Sequence, residues 1–526
     1  FLLSSITFNT LWCVTKAGRC LISPPQKSQV QLMATYRLIP AILAAFLLAN
    51  SYANERPNVL LIMIDDLNDW IGCMDGHPQS LTPNIDKLAS RGTLFTNAHC
   101  QAPICGPSRA SLLSGRYPHE TGVYNQPKGG SALSNDSILF HGQLLPQYFA
   151  QNGYSTYVVG KITHGYEQEA VFQFAGSRGN EGPKPEGPKA PNDIRFHYRP
   201  NYDLPYTGTQ TDWGAFPDRN DQMPDHQTAS WIIPHLEKEH DKPFFMAVGF
   251  HCPHVPFYAP QEWFDMHPLE NVIVPEIPED DFSDVPEIGR LIHELPRYPD
   301  VDWLRANNEE QLRLCVQAYL ACTTFVDAQV GRVLHALDRS PHADNTIIIL
   351  FSDHGYHLGE KERVSKHGLW EESTKVPFIV ATPNGQGSEK RHQPVGLIDI
   401  YPTLVDMCDL PKRPLNAGRS LVPLIENSGA SWRHSIITTY AMNNHTLRSD
   451  RFRYIRYEDG SEELYDHFRD PNEWTNLAKN SEYSRELDAF RHSLPKDNAP
   501  YHPIVGGRPI NPWFAEHYER LGVGNQ

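Results

Sequence analysis

The apolar run Val59 to Ile64 stops at two adjacent carboxylates, Asp65 and Asp66. A continuous run without alternation predicts a strand buried on both faces of a mixed or parallel sheet, with functional groups at its carboxyl end. The pattern recurs: Tyr154 to Val159 ends at Gly160-Lys161, Phe244 to Phe250 at His251, and Thr346 to Phe351 at Ser352-Asp353-His354, with Val376 to Val380 following. Between these runs the spacing becomes helical, most clearly from Glu309 to Leu337, where apolar positions recur every three and four residues. The alternation predicts an α/β fold, a large mixed sheet sandwiched by helices, with strand-end residues gathered along one edge of the sheet.

After Pro423-Leu424-Ile425 the pattern changes. Ile436 to Tyr440, Thr446 to Ser449, Phe452 to Tyr457 and Glu463 to Asp466 predict short antiparallel strands, with Asp459-Gly460 as a turn. A boundary near residue 430 follows, dividing a catalytic domain (54–430) from a smaller C-terminal α+β subdomain (431–526). The segment Gly176 to Asp193, rich in Gly and Pro, predicts an exposed loop or insertion.

Composition narrows the function. The 526 residues, 40% hydrophobic and 21% charged, describe a globular chain with a sizeable core. A net charge of −16 excludes a protein that coats nucleic acid or an anionic membrane, so an anionic substrate must meet a local cationic pocket. Residues 1–32 precede Met33 and read as a mis-assigned start. Residues 33–53, with Arg37, the apolar run Leu38 to Ala49, and small residues Ser51 and Ala53, have the pattern of a secretory signal. That run is shorter than the roughly 20 residues a bilayer requires. The expectation is an exported protein, periplasmic or extracellular, without a membrane span and starting near Asn54. Nine cysteines, two of them (Cys13 and Cys20) in the leader, leave an odd number in the mature chain. At least one is therefore unpaired or chemically altered.

Cys105-Gly106-Pro107-Ser108-Arg109 followed by Ala110 to Arg116 reads as a turn entering a helix, with Pro107 suited to a first helical position. A cysteine there is activated by unpaired amides and the helix dipole; alone, it is more simply a structural cysteine. The segment has company. Together with Asp65-Asp66, Thr82-Pro83-Asn84-Ile85-Asp86, Gly160-Lys161-x-x-His164, Pro253-His254, Ser352-Asp353-His354-Gly355, Lys366, Lys375-Val376-Pro377 and Glu463-Leu464-Tyr465-Asp466, it resembles the type I sulfatases. The resemblance spans Arg56 to about Ala478. Within that family the segment Pro243 to Pro260 and the Asp-His pair at 353–354 are most similar to the iduronate-2-sulfatase branch.

The resemblance implies an alkaline phosphatase-like fold and a Cys105 oxidised to formylglycine by a formylglycine-generating enzyme. It also implies one calcium ion held by Asp65, Asp66, Cys105, Asp353 and His354. Carboxylates from two strand ends suit a hard divalent cation, whereas the imidazole of His354 is softer than calcium prefers. Arg109, Lys161 and Lys366 supply fixed positive charge, which stabilises charge growing on the bridging oxygen as an S–O bond breaks. His164 and His254 are the proton-transfer candidates. The implied reaction has two steps: a hydroxyl of the formylglycine hydrate, activated by the metal and Asp353, attacks sulfur while His254 protonates the leaving alcohol. His164 then assists collapse to the aldehyde and release of sulfate.

The expected substrate is a sulfated saccharide, from glycosaminoglycan or another polysaccharide, with Cys252 and Tyr356 as substrate-contact candidates. Cys252 stands where the branch usually has Lys, and Tyr356 where it has Trp. Two rivals remain. A phosphonate or phosphate ester hydrolase of the same superfamily would use the same cradle, and Asp353-x-x-x-His357 has a spacing used by two-metal phosphodiesterases. A sulfated-glycan-binding protein without catalysis is the rival from another class.

Overall fold

The structure, a computed structural model, describes residues 56–128, 144–165, 167–180, 182–183, 211–293, 309–383, 385 and 387–505. The leader expected over 1–53 and most of the loop expected over 176–193 lie outside the described residues. Residues from Arg56 onward belong to one compact unit. Among the described residues no helix is long and apolar enough to cross a membrane.

The first run forms β1 (Asn58–Ile64), buried throughout. Its side chains divide by parity. Leu60, Ile62 and Ile64 enter one apolar cluster, and Val59, Leu61 and Met63 enter another on the opposite face. That two-sided burial is why the run lacks alternation. The sheet also contains β2 (Thr93–Phe95), β3 (Ser155–Gly160), β4 (Phe174–Ala175), β5 (Phe244–Phe250), β6 (Thr346–Ser352), β7 (Phe378–Ala381) and β8 (Glu389–Arg391). Its order is β8-β2-β7-β6-β1-β5-β3-β4. β1 runs parallel to β5 and β6, and β3 parallel to β5, whereas β7 is antiparallel to both β6 and β2.

Helices cover both faces, as the periodicity predicts. Cluster partners on the first face come from α2 (Pro224–Glu237) and the long α3 (Glu309–Asp338); on the second they come from α1 (Cys105–Ser114) and α4 (Ile400–Met407). A four-stranded antiparallel sheet follows: β9 (Ile436–Thr439), β10 (His445–Arg448), β11 (Phe452–Arg456) and β12 (Glu462–Asp466). The turn between β11 and β12 uses Gly460 at φ 89°, a left-handed conformation that glycine adopts without steric cost. α5 (Ser484–Ser493) packs Leu487 and Phe490 against this sheet.

Register decides where the chemistry sits. Ile64 lies opposite both Phe250 and Ser352, and Gly160 opposite Gly249. The residues that follow, Asp65-Asp66, His251, Asp353-His354 and Lys161, therefore emerge along one sheet edge. Gly160 has φ 72°, and a Cβ there would meet the Gly249 carbonyl oxygen at 1.8 Å, so only glycine permits this approach.

Candidate active site

α1 delivers Cys105 to that edge. The helix begins at Cys105, with Ile104 extended before it and the amide of Ser108 bonded to the Ile104 carbonyl at 3.2 Å. Pro107 is thus the third helical residue rather than the first. The position is still tolerated because the first-turn amides have no intrahelical acceptor to lose. Gly106 fits a tight place: a Cβ would fall 2.6 Å from Cδ of the Pro127 ring. All ten residues of the helix are buried.

The Cys105 sulfur lies 3.2 Å from His354 Nε2 and 3.2 Å from Lys366 Nζ, 3.8 Å from Asp66 Oδ1 and 3.9 Å from Lys161 Nζ. Lys366 also donates to both Asp66 oxygens, at 2.8 and 2.9 Å, and Lys161 donates to Asp65 Oδ2. Arg109 is a bracket. Its Nη2 donates to Asp65 Oδ1 at 2.7 Å and its Nε to Asp353 Oδ2 at 2.7 Å, while Nη1 reaches the carbonyls of Lys161 and Ile162. The guanidinium's planar fork thereby ties three strand ends together.

Asp66 adopts φ 63°, a left-handed conformation costly for a residue with a Cβ and held here by its surroundings. Its amide donates to Asp353 Oδ1 at 3.2 Å, and its carbonyl accepts from the Tyr319 hydroxyl at 2.8 Å. Tyr319 and Ser108, whose hydroxyl donates to the Asp353 carbonyl at 2.6 Å, are supporting residues that sequence reasoning missed. Ser108 stands inside the Cys105 to Arg109 motif but is given no role by it, and Tyr319 stands in no local motif; only the folded helices bring their hydroxyls to the carbonyls of Asp353 and Asp66.

Burial opposes ionisation of Asp65, but Lys161 and Arg109 outweigh it and hold the carboxyl well below its usual range. For Asp66 burial dominates over Lys366 and His354, and the pKa is raised. His354 donates from Nδ1 to the Gly355 carbonyl at 3.0 Å, so Nε2 faces Asp66 and Cys105. Burial would lower its pKa, but Asp353, Cys105 and Asp66 together raise it to about 9. A buried carboxylate that resists ionisation beside an imidazole that holds a proton is a donor set short of positive charge. The Asp65, Asp66, Cys105 and His354 ligand atoms all lie within 4.8 Å of one another, which fits one divalent ion.

The two proton-transfer candidates behave alike. His254 Nδ1 donates to the Val255 carbonyl at 2.6 Å, and burial, then Lys161 and Lys366, push its pKa well below the ordinary value. His164 is lowered to about 2 by burial, Lys161 and Arg109, and its Nδ1 has no hydrogen-bond partner among the described residues. Both rings are neutral here, with the second nitrogen of His254 available as an acceptor.

The two substrate-contact expectations need correction. Tyr356 is 0% exposed; its ring stacks on Tyr319 and meets Phe257 edge-on, so the aromatic core leaves it no face for a sugar. Cys252 is also buried in that core, with its sulfur 4.0 Å from the Tyr258 carbonyl. His357 accepts or donates at Nδ1 with Ser373 Oγ, 2.8 Å away, and is not in the metal-capable cluster. The two-metal spacing argument therefore loses its histidine.

Comparison with known proteins agrees with this geometry. The sequence profile of the family described as Sulfatase matches residues 57–410, and that described as N-sulphoglucosamine sulphohydrolase, C-terminal, matches 359–499. A protein named Sulfatase from Formosa agariphila is 42% identical, covering 89% of this chain and 92% of its own. Iduronate 2-sulfatase of Mus musculus is 31% identical over 75% of this chain and 76% of its own. The solved structure of a 2-O GAG sulfatase superimposes with a TM-score of 0.64 at 25% identity, covering 86% of this chain and 99% of that one.

Proposed function

The chain belongs to the sulfatase family, and from that premise we propose that it hydrolyses a sulfate ester on a carbohydrate, with 2-O-sulfated uronate in glycosaminoglycan fragments as its substrate class. The observation that carries the reaction is the Cys105 sulfur at a helix N-terminus, 3.2 Å from both Lys366 Nζ and His354 Nε2 and beside three buried carboxylates. The substrate class is supported by likeness to iduronate 2-sulfatase and to the 2-O GAG sulfatase.

Asp65, Asp66, Asp353 and His354 would hold calcium, with position 105 completing the set. Bound calcium would neutralise sulfate oxygens. Formylglycine at position 105 would supply a hydroxyl nucleophile for sulfur that lets sulfate leave by elimination. Every other task falls to the chain's unmodified side chains. Lys161 and Lys366 flank position 105 and stabilise the anionic transition state. Arg109, with its donors committed to Asp65, Asp353 and two carbonyls, orients ligands rather than binding sulfate. His254 starts neutral and takes up a proton as the anionic ester enters, then gives it to the leaving oxygen; neutral His164 accepts a proton at position 105 in the second step.

We extend the same reading to organisation. Residues 54–430 carry the chemistry, 431–526 form the bracing subdomain, and the chain is exported after loss of a signal over 33–53. Incubation with saccharides bearing a single sulfate at uronate O2, glucosamine O6 or glucosamine N tests the function by sulfate release. Release from the uronate ester is expected. Hydrolysis of a phosphonate monoester with no release from any saccharide sulfate would overturn the reading.

A further inference from the structure

At the outer margin of the large sheet the chain builds a second cleft, away from Cys105. β8 runs parallel to β2, β2 is antiparallel to β7, and β7 is antiparallel to β6, so β8 points the same way as β6 and β1. Its carboxyl end at Arg391 therefore opens on the sheet edge that carries Asp65 and Asp353. Four strand spacings separate β8 from β1, roughly 19 Å along that edge. There His392 to Pro394, with Ala417 and Arg419, face Trp432 to Ile437 and Ser449 to Arg451 of the C-terminal subdomain across a cavity of about 1030 Å³. None of the residues assigned to the reaction lines it.

The cleft is basic in a chain of net charge −16. Two of its arginines are structural: Arg391 donates to the Leu424 carbonyl at 2.6 Å and to Glu389 at 2.8 Å, and Arg451 donates to Asp466 at 2.8 Å. Three other cations of the lining are exposed. Lys390 reaches no carboxylate closer than the exposed Asp75, at 4.0 Å, and Arg419 and Arg433 form no side-chain hydrogen bond or ion pair among the described residues. Opposing carboxylates are fewer. Asp399 is buried and accepts from the amides of Gly396 at 2.9 Å and Arg419 at 2.7 Å, which leaves Asp450 as the exposed carboxylate of the wall among the described residues. Trp432 pins the two sides together, its indole N–H donating to the Pro394 carbonyl at 2.8 Å and its ring meeting His434 edge-on. The walls are therefore set before a ligand arrives.

We propose that this cleft binds a sulfated polysaccharide chain, holding a long substrate along the sheet edge on which its sulfate ester meets position 105; this rests on the reading of the substrate as a sulfated saccharide. Guanidinium groups match the oxygens of sulfate and carboxylate through paired N–H donors, and Lys390 adds a point charge. A chain of charged rings can enter a concave cleft between two domains, where a flat membrane surface cannot follow the wall. A disaccharide held at position 105 ends short of a cleft roughly 19 Å along the edge. The two sites therefore act together only on long chains.

The test is calorimetric binding to the Cys105→Ala protein, which cannot turn over its ligand. The probes are a heparin decasaccharide, a heparin disaccharide and a single-stranded DNA oligonucleotide matched in charge to the decasaccharide. Arg419→Ser and Arg433→Ser should each weaken decasaccharide binding about tenfold, the loss of one charged contact, and leave disaccharide binding unchanged. Asp450→Asn should tighten the decasaccharide about threefold, a gain that damage to the fold does not produce. In the protein that retains Cys105, the two arginine variants should raise KM on the polysaccharide and leave kcat/KM on the disaccharide unchanged. Decasaccharide affinity unchanged in both arginine variants overturns the proposal. DNA bound as tightly and lost in the same variants also overturns it, since the cleft would then be a general anion surface. Arginine-dependent decasaccharide binding in a protein that releases no sulfate from any saccharide supports the cleft and overturns the hydrolytic reading instead.

Discussion

Among the described residues two clusters place carboxylates and imidazole within metal-binding reach, and they are built to opposite ends. Around Asp65, Asp66, Cys105 and His354 the cations are mainly lysines, and burial lifts Asp66 above its ordinary pKa. Around Glu371, His467 and Glu473 the cations are arginines. Arg453 pairs with both glutamates and Arg448 with Glu371 at 3.1 Å, and despite burial Glu371 is held well below its usual range and Glu473 is lowered. The second cluster is self-neutralised and cross-links the C-terminal sheet to the segment before Lys375. The first keeps an unmet demand for positive charge. Donor type alone does not make a metal centre: both glutamates of the second cluster are held low by their arginines, whereas in the first only Asp65 is held low, by Lys161 and Arg109, and Asp66 is left raised by burial.

The largest effect follows from removing a ligand. Asp66→Ala should abolish calcium binding and lower turnover by ~10³-fold or more, several kcal/mol of lost charge stabilisation. Glu473→Gln should leave metal content intact. Metal analysis of purified proteins decides: equal loss in the two variants would erase the distinction between the clusters.

Next in size is the cost of breaking the braced cluster. Arg453→Met leaves two buried glutamates short of a partner, which costs about 3–5 kcal/mol. Denaturant unfolding in saturating calcium should show that loss with calcium stoichiometry unchanged. A fall in metal content with little change in stability would show the clusters to be coupled.

His254 sharpens the first cluster's chemistry. A sugar alkoxide needs a proton far more than a nitrophenolate does, so His254→Ala should cut kcat/KM on a saccharide sulfate by about 10²-fold and on an aryl sulfate much less. Equal losses, with formylglycine and calcium matched to the parent protein, would remove the acid role.

How far the sequence carried these conclusions differs between the regions. β1, β5 and β6 were legible because strands buried on both faces must be apolar throughout, and their ends named Asp65, Asp66, Asp353 and His354. β9 to β12 were legible from short alternating runs and the Asp459-Gly460 turn. Glu371, Arg448, Arg453 and Glu473 were not singled out: isolated charges in unrelated segments carry no spacing signal, and only the docking of β10 and β11 against the Trp370 segment pairs them. Tyr356 was misread because an aromatic beside a motif looks the same whether it faces a substrate or the core. Tyr319 escaped for the same reason as the arginines, and Ser108, though inside the Cys105 motif, showed no role because its partner lies over 200 residues away.

The smallest predicted effect is in acid stability, and it tests whether the braced region is as closed to protons as to metals. His445 and His357 are each lowered to about 3, chiefly by burial, and His99 beside Glu371 falls well below its ordinary value. Their folded pKa values lie below the unfolded value near 6.5, so below that pH the unfolded chain binds more protons and stability falls as pH falls. Each such histidine should cost about 1.4 kcal/mol between pH 7.5 and 5.5. The contribution of these three histidines should be the same with and without calcium, because none of them belongs to the first cluster. His445→Gln should remove one proton's worth of slope over that range, whatever it does to stability at pH 7.5. A slope unchanged by that substitution, measured by denaturant midpoints across the range in the presence of calcium, would show that His445 is protonated in the folded protein and that this region is open to solvent protons.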